Sequence, residues 1–167
     1  LLQHIGVSKR LFSLHQHNER ARSRQLIDSL LRGENIALVS DAGTPLISDP
    51  GYLLVRDCLA RGLPVLTVPG ASAVTAALAV CGLPTDRFAF EGFLPSRLSA
   101  RRRMLQDLAQ EPRTLVFFES PRRLKATLAD MVWVLGGVRR VSVLRELTKR
   151  FEETVLAPLG ERGERFE

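Results

Sequence analysis

The chain has 167 residues, enough for one compact domain or two small ones, and 45% of them are hydrophobic, which supports a core and excludes a disordered protein. Twenty-four Lys and Arg against 18 Asp and Glu give a net charge of +6, while the two cysteines, Cys58 and Cys81, have neither metal-ligand spacing nor a disulfide framework. No apolar stretch reaches membrane-spanning length and the first residues lack a signal-peptide layout, so the expectation is a soluble cytoplasmic protein with buried, reduced thiols.

In chain order, Leu11, Phe12 and Leu14 form a short apolar patch before His15, Gln16, His17 and Asn18. No Cys or carboxylate supports the two histidines at a metal-site spacing, so they read as polar loop residues and no metal is expected. Asn18 is placed to cap a helix over 19–31, in which Leu26, Ile27, Leu30 and Leu31 make an apolar stripe, Arg20, Arg22 and Arg24 line the other side, and Gly33 is the stop. The apolar run at 36–39 predicts a buried strand that empties into SDAGTPLISDPG over residues 40–51. There Gly permits close backbone approach, Asp49 is a natural N-cap, Pro50 opens a helix without losing a needed N–H, and residues 52–59 have helical apolar spacing. A loop at the carboxyl end of a strand is where an open α/β sheet binds ligands, although many such turns bind nothing.

A second predicted strand, 65–68, runs into Pro69-Gly70-Ala71-Ser72-Ala73 and a small-residue helix over 74–80. Small side chains there let a helix start approach a ligand closely, or equally pack a helix on a sheet. The breakers Gly82 and Pro84 mark a domain boundary, giving domains 1–84 and 85–167. Residues 88–95 alternate like a strand, 100–109 form a basic helix, 114–120 a strand, and Pro121 opens a helix that closes at Trp133 and Leu135. Residues 141–144 form a further strand; beyond the acidic pair Glu152 and Glu153, the tail at 160–165 ends without a closing strand. Strands alternating with helices argue for two consecutive α/β domains with mostly parallel sheets. Neither a dinucleotide-binding glycine fingerprint, a P-loop nor a Ser–His–Asp constellation is present. The arginine clusters suit either a polyanion partner, through guanidinium forks on phosphates, or a solvated helix face.

Six segments in order, LHQHNE from Leu14, VSDAGTPLISDPG from Val39, VPGASA from Val68, FEGFLP from Phe90, FFESPRR from Phe117 and LRELTK from Leu144, resemble the bacterial small-subunit rRNA 2′-O-ribose methyltransferases of the tetrapyrrole methylase class. The resemblance implies two α/β domains with S-adenosylmethionine in the cleft between them, and a homodimer acting on 16S rRNA or the small ribosomal subunit. It also implies that the family's opening strand would precede residue 1 and its last strands would follow residue 167, so the sequence reads as an internal fragment. Carried onto this chain, the cofactor positions are Asp41, Ala42, Gly43, Thr44, Ser72, Ala73, Phe118 and Leu147. For removal of the ribose hydroxyl proton and stabilisation of the developing alkoxide, the candidates at predicted strand ends are Glu119, Arg145, Glu146 and Lys149. Arg101, Arg102, Arg103, Arg122 and Arg123 would hold RNA phosphates. The competing readings are a tetrapyrrole methylase of the same fold and a non-enzymatic RNA-binding module; the roomy apolar cleft that the former needs is matched less well by arginine groups than RNA is.

Overall fold

The structure, a computed structural model, describes residues 2, 4 and 6–161, so tail residues 162–165 lie outside the described residues. The chain divides into two compact units, Leu1–Gly70 and Ala71–Glu167.

The first unit is built on helices α1 (Glu19–Leu31) and α2 (Tyr52–Leu59). Leu26 and Ile27 of α1 pack on Leu54 and Cys58 of α2, with Leu30, Ile36 and Leu63 around them; each fully buried aliphatic side chain contributes about 1.5–3 kcal/mol. Burial also pushes the Cys58 thiol up, away from the reactive thiolate. Leu31 stands outside the stripe and is exposed, at its rim in the last turn before the chain leaves through Gly33 at φ 88°. Asn18 does not cap α1. With φ −113° and ψ −5° it lies outside the extended geometry a capping side chain needs. Its Oδ1 instead accepts from the His15 N–H at 2.8 Å and its Nδ2 donates to the Ser13 carbonyl at 3.1 Å, closing the turn ahead of the helix.

Residues 36–39 and 65–68, predicted as strands, join no sheet among the described residues. An apolar β-branched run becomes a strand only where a neighbour offers a ladder of N–H and C=O groups. Val39, Leu66 and Val68 are 60%, 89% and 90% exposed.

The second unit contains α3 (Ala73–Val80), β1 (Phe88–Phe93), α4 (Leu98–Asp107), β2 (Thr114–Phe118), α5 (Pro121–Leu135), β3 (Arg140–Arg145), β4 (Glu153–Pro158) and a 3₁₀ turn, Leu159–Glu161. β1 and β2 pair in parallel across the α4 crossover, with a bulge between Phe90 and Gly92 that puts buried Gly92 at φ 65°. β3 and β4 form an antiparallel hairpin in register from Arg140 opposite Pro158 to Arg145 opposite Glu153. β4 is therefore a strand where the sequence reading placed none; its acidic start and terminal Pro158 resemble loop chemistry, yet both are tolerated on a two-stranded edge. The described sheets are one parallel and one antiparallel two-stranded pair. The core joins Leu94, Leu105, Leu128, Met131 and Leu159, with Phe117, Val141 and Val143 packed against it.

Segment 71–84 belongs to this second unit. A Cβ on Gly82 would stand 2.9 Å from Leu156 Cδ2 of β4, and the Thr114 hydroxyl donates to the Pro84 carbonyl at 2.5 Å. The compact division falls at Gly70, ahead of the breakers at 82–84.

Candidate functional site

The loop 40–51 is shaped by backbone conformations that few residues accept. Gly43 (φ 74°), Leu46 (φ 71°), Ser48 (φ 59°) and Gly51 (φ 130°) are all left-handed, and the Ile47 N–H bonds the Thr44 carbonyl at 3.2 Å. Two non-glycine residues in that region are costly and persist only where their surroundings hold them. Gly51 is required twice over, by its φ and because a Cβ would meet Leu38 Cδ2 at 2.8 Å and Leu46 Cδ1 at 3.0 Å. The cap of α2 is Gly51 itself, two residues beyond Asp49, so the expected Asp49 cap and Pro50 first position are displaced. A glycine has no side chain to cap with, and the need is met from α1: Glu19 Oε1 accepts from the Gly51 N–H at 2.8 Å and the Leu53 N–H at 2.9 Å. A carboxylate at a helix N-terminus also meets the positive end of the helix dipole. The HNE and SDPG segments thus lock one another. Sequence reasoning missed Glu19 because an acid in the first turn of its own helix looks self-sufficient.

Asp41, Ala42, Gly43 and Thr44 are exposed at the start of this loop, and a Cβ on Gly43 would meet nothing within 4 Å. The Asp41 carboxylate has no ion-pair or hydrogen-bond partner among the described residues. A carboxylate without a partner among the described residues can accept hydrogen bonds from hydroxyl or amide donors.

In the second unit, Ser72 caps α3 in extended geometry without a side-chain cap bond; its carbonyl accepts the Ala76 N–H at 3.0 Å and the Thr75 hydroxyl at 3.2 Å. Ala73 begins the helix and is exposed. Phe118, at the end of β2, is fixed by two rings of β1: Phe90 edge-on at 5.0 Å and Phe93 at 5.5 Å. The next residue, Glu119, is held by three donors, the Ser120 N–H (2.8 Å), the Thr127 hydroxyl (2.7 Å) and Arg123 (3.2 Å). Arg123 in turn reaches the Leu94 carbonyl at 2.6 Å and that of Pro95 at 3.3 Å. FFESPRR and FEGFLP are thereby tied together.

The five arginines expected on RNA separate into two groups. Arg101 is 6% exposed; its guanidinium forks onto Asp130 Oδ2 at 2.7 and 2.6 Å and donates to the Ser96 carbonyl at 3.1 Å. Arg102 bonds Asp130 Oδ1 at 2.7 Å and stacks 4.4 Å from the Trp133 ring centroid. Burial pushes the Asp130 carboxyl up, but the bonds and charges of Arg102 and Arg101 outweigh it and hold the group below its ordinary value. Arg101, Arg102 and Arg123 therefore have internal partners, whereas Arg103 and Arg122 are exposed and form no ion pair among the described residues.

The LRELTK segment forms the β3–β4 turn. Arg145 pairs with Glu153, Glu146 (φ 51°) and Thr148 (φ 66°) are left-handed, and Glu152 accepts the Thr148 N–H at 2.5 Å. Glu146 and Lys149 are exposed and Leu147 is half-buried. Asp41 to Thr44 lie in the first unit and all other candidates in the second. Among the described residues no group of three or more His, Cys, Asp or Glu could hold a metal ion, and no helix is long and apolar enough to cross a membrane.

This α/β fold, with left-handed loop 40–51 and a β-α-β unit ending in Phe118 and Glu119, belongs to a known class: residues 3–162 match Tetrapyrrole (Corrin/Porphyrin) Methylases, and the chain is a member of that family. It is similar to proteins named ribosomal RNA small subunit methyltransferase I. That of Escherichia coli O157:H7 is 53% identical over 161 residues, 96% of this chain and 56% of the relative. That of Pseudomonas aeruginosa is 53% identical over the same share of this chain and 57% of the relative, and that of Mycobacterium tuberculosis 51% identical over 94% and 55%. The chain thus spans about half the length of the curated relatives it matches. A crystal structure of the methyltransferase CobJ shares the fold, with TM-score 0.66 and 18% identity over 94% of this chain and 72% of that one.

Proposed function

We propose that this chain serves S-adenosylmethionine-dependent methylation of a cytidine ribose 2′-oxygen in 16S rRNA, as part of a cytoplasmic homodimer. The observation that carries the reading is the identity of about half of all positions, across nearly the whole chain, with proteins named small-subunit rRNA methyltransferases. When bound, S-adenosylmethionine supplies a methyl group already activated on a sulfonium. Asp41 is assigned to accept from ribose hydroxyls, with Ala42, Gly43 and Thr44 beside it in the loop; Ser72, Ala73, Phe118 and Leu147 are the further cofactor positions that the family resemblance assigns. The domain boundary after Pro84 belongs to the same proposal.

What remains for the protein is alignment of the attacking ribose oxygen and removal of one proton. Glu119 already accepts three donors, so it positions Arg123 and the start of α5 and is a poor base. Exposed Glu146 is assigned to accept the 2′-hydroxyl proton, with Lys149 stabilising the developing oxyanion and Arg145, paired with Glu153, shaping the turn. Arg103 and Arg122 hold phosphates; Arg101, Arg102 and Arg123 brace the elements that carry them. The test is methyl transfer from labelled donor to small ribosomal subunits, naked 16S rRNA and tetrapyrrole precursors. Transfer to the subunit or its rRNA is expected; transfer to tetrapyrroles alone would overturn the reading.

A further inference from the structure

The first unit carries a cationic cavity of about 400 Å³ lined by Arg10, Phe12 and α1 residues including Arg22, Gln25 and Ser29, together with Arg32. Phe12 is 44% exposed, and its ring is flanked by two guanidiniums, with the carbons of Arg10 and Arg22 at 4.7 and 5.7 Å from the centroid. Arg22 donates to the neutral Gln25 at 2.9 Å, which orients its fork without neutralising it, and Arg10 has no ion-pair partner among the described residues. Against them, Asp28 contributes one carboxylate to the lining and Glu34 pairs with Arg32 at 3.0 Å, leaving the balance positive. Arg20 and Arg24, exposed on the same helix, extend the field.

We propose that this cavity docks single-stranded rRNA, with Arg10 and Arg22 binding phosphates and the arginine-flanked Phe12 ring receiving a base. Guanidinium forks match phosphate oxygens, and aromatic rings and guanidinium planes are the surfaces on which unpaired bases stack. An apolar ligand is disfavoured, since Phe12 and Leu26 are the apolar members of a lining otherwise made of Arg, Gln, Ser and Asp. The inference deepens the rRNA reading and rests on it. It gives the first unit a role in holding substrate that is separate from Asp41 to Thr44.

The test measures binding of a short single-stranded RNA to the full-length protein by fluorescence anisotropy over a range of salt concentrations. Arg10→Glu with Arg22→Glu should weaken binding at least about tenfold and reduce the salt slope by about 1.4, from about 0.7 per lost phosphate contact. Arg10→Gln with Arg22→Gln, which disturbs folding less, should move both quantities in the same direction. Phe12→Leu should weaken binding about fivefold or more, within the usual worth of one stacked base, and leave the slope unchanged. Calorimetric affinity for S-adenosylmethionine should not move in any of them. Unchanged RNA affinity and slope in the arginine variants would overturn the docking surface, as would an equal loss of binding to polyglutamate. If Arg103→Glu with Arg122→Glu then abolishes RNA binding, the rRNA reading survives that failure; if the unsubstituted protein binds no RNA, both fall.

Discussion

Asp130→Asn removes the charge that two guanidiniums share while keeping the side chain's shape. Asp130 accepts from Arg101 at 2.7 and 2.6 Å and from Arg102 at 2.7 Å, and the side chains of Asp130 and Arg101 are only 3% and 7% exposed. The asparagine would turn an N–H₂ or a weaker carbonyl toward donors, and Arg101 cannot move to water. Breaking a buried pair from one side costs about 3–5 kcal/mol. Arg102, with its side chain 33% exposed and resting on Trp133, re-solvates and adds little, so the expected loss lies at the lower end, about 3 kcal/mol. Urea unfolding at about pH 7 should show this as a lower midpoint with an unchanged slope. The pH dependence has a defined sign. The folded carboxyl sits below its ordinary value, so its contribution is complete above the unfolded pKa of about 3.9 and is lost as pH falls through the folded value. The gap between native protein and variant should therefore be constant above about pH 5 and narrow below about pH 4. A variant within about 1 kcal/mol of native at pH 7, or a gap that persists unchanged into acid, would refute the assignment of this pair as the brace between α4 and α5.

Glu19→Ala should cost about 1–2 kcal/mol in thermal or urea unfolding, because two N–H groups at the start of α2 lose their acceptor; no change would mean water replaces it freely. Gly51→Ala should cost about 1–3 kcal/mol, mostly from its φ of 130°, since the side-chain ends of Leu38 and Leu46 can shift; a neutral outcome would show that the loop relaxes. Asp41→Ala with Thr44→Ala should weaken S-adenosylmethionine binding in calorimetry about tenfold, worth about 1.4 kcal/mol, with RNA affinity unchanged. The opposite pattern would remove these residues from the donor site.

The helices were legible because their signals are local. Apolar spacing over 19–31 and 52–59, Gly33 as a stop and Pro121 as a start are each decided within a few residues, and α1, α2 and α5 lie where those signals put them. What depends on partners was less legible. The runs at 36–39 and 65–68 have strand composition but join no ladder among the described residues, while β4 has a ladder despite a composition of acid and proline. Capping failed for the same reason: Asn18 and Asp49 are good caps by type, yet the carboxylate that caps α2 comes from Glu19, 32 residues before Gly51. Of the site, the loop 40–51 and the segment at Phe118 and Glu119 stood out in sequence, but an arginine's charge does not reveal whether it faces solvent or an internal carboxylate. The pairing of Arg101 with Asp130 spans 29 residues and carries no local mark.

The most direct measurement is nucleoside mass spectrometry of 16S rRNA after incubation of small subunits with full-length protein and isotopically labelled S-adenosylmethionine. The expected result is one labelled 2′-O-methylcytidine, absent when donor is omitted. Label on a base, or none in rRNA, would contradict it.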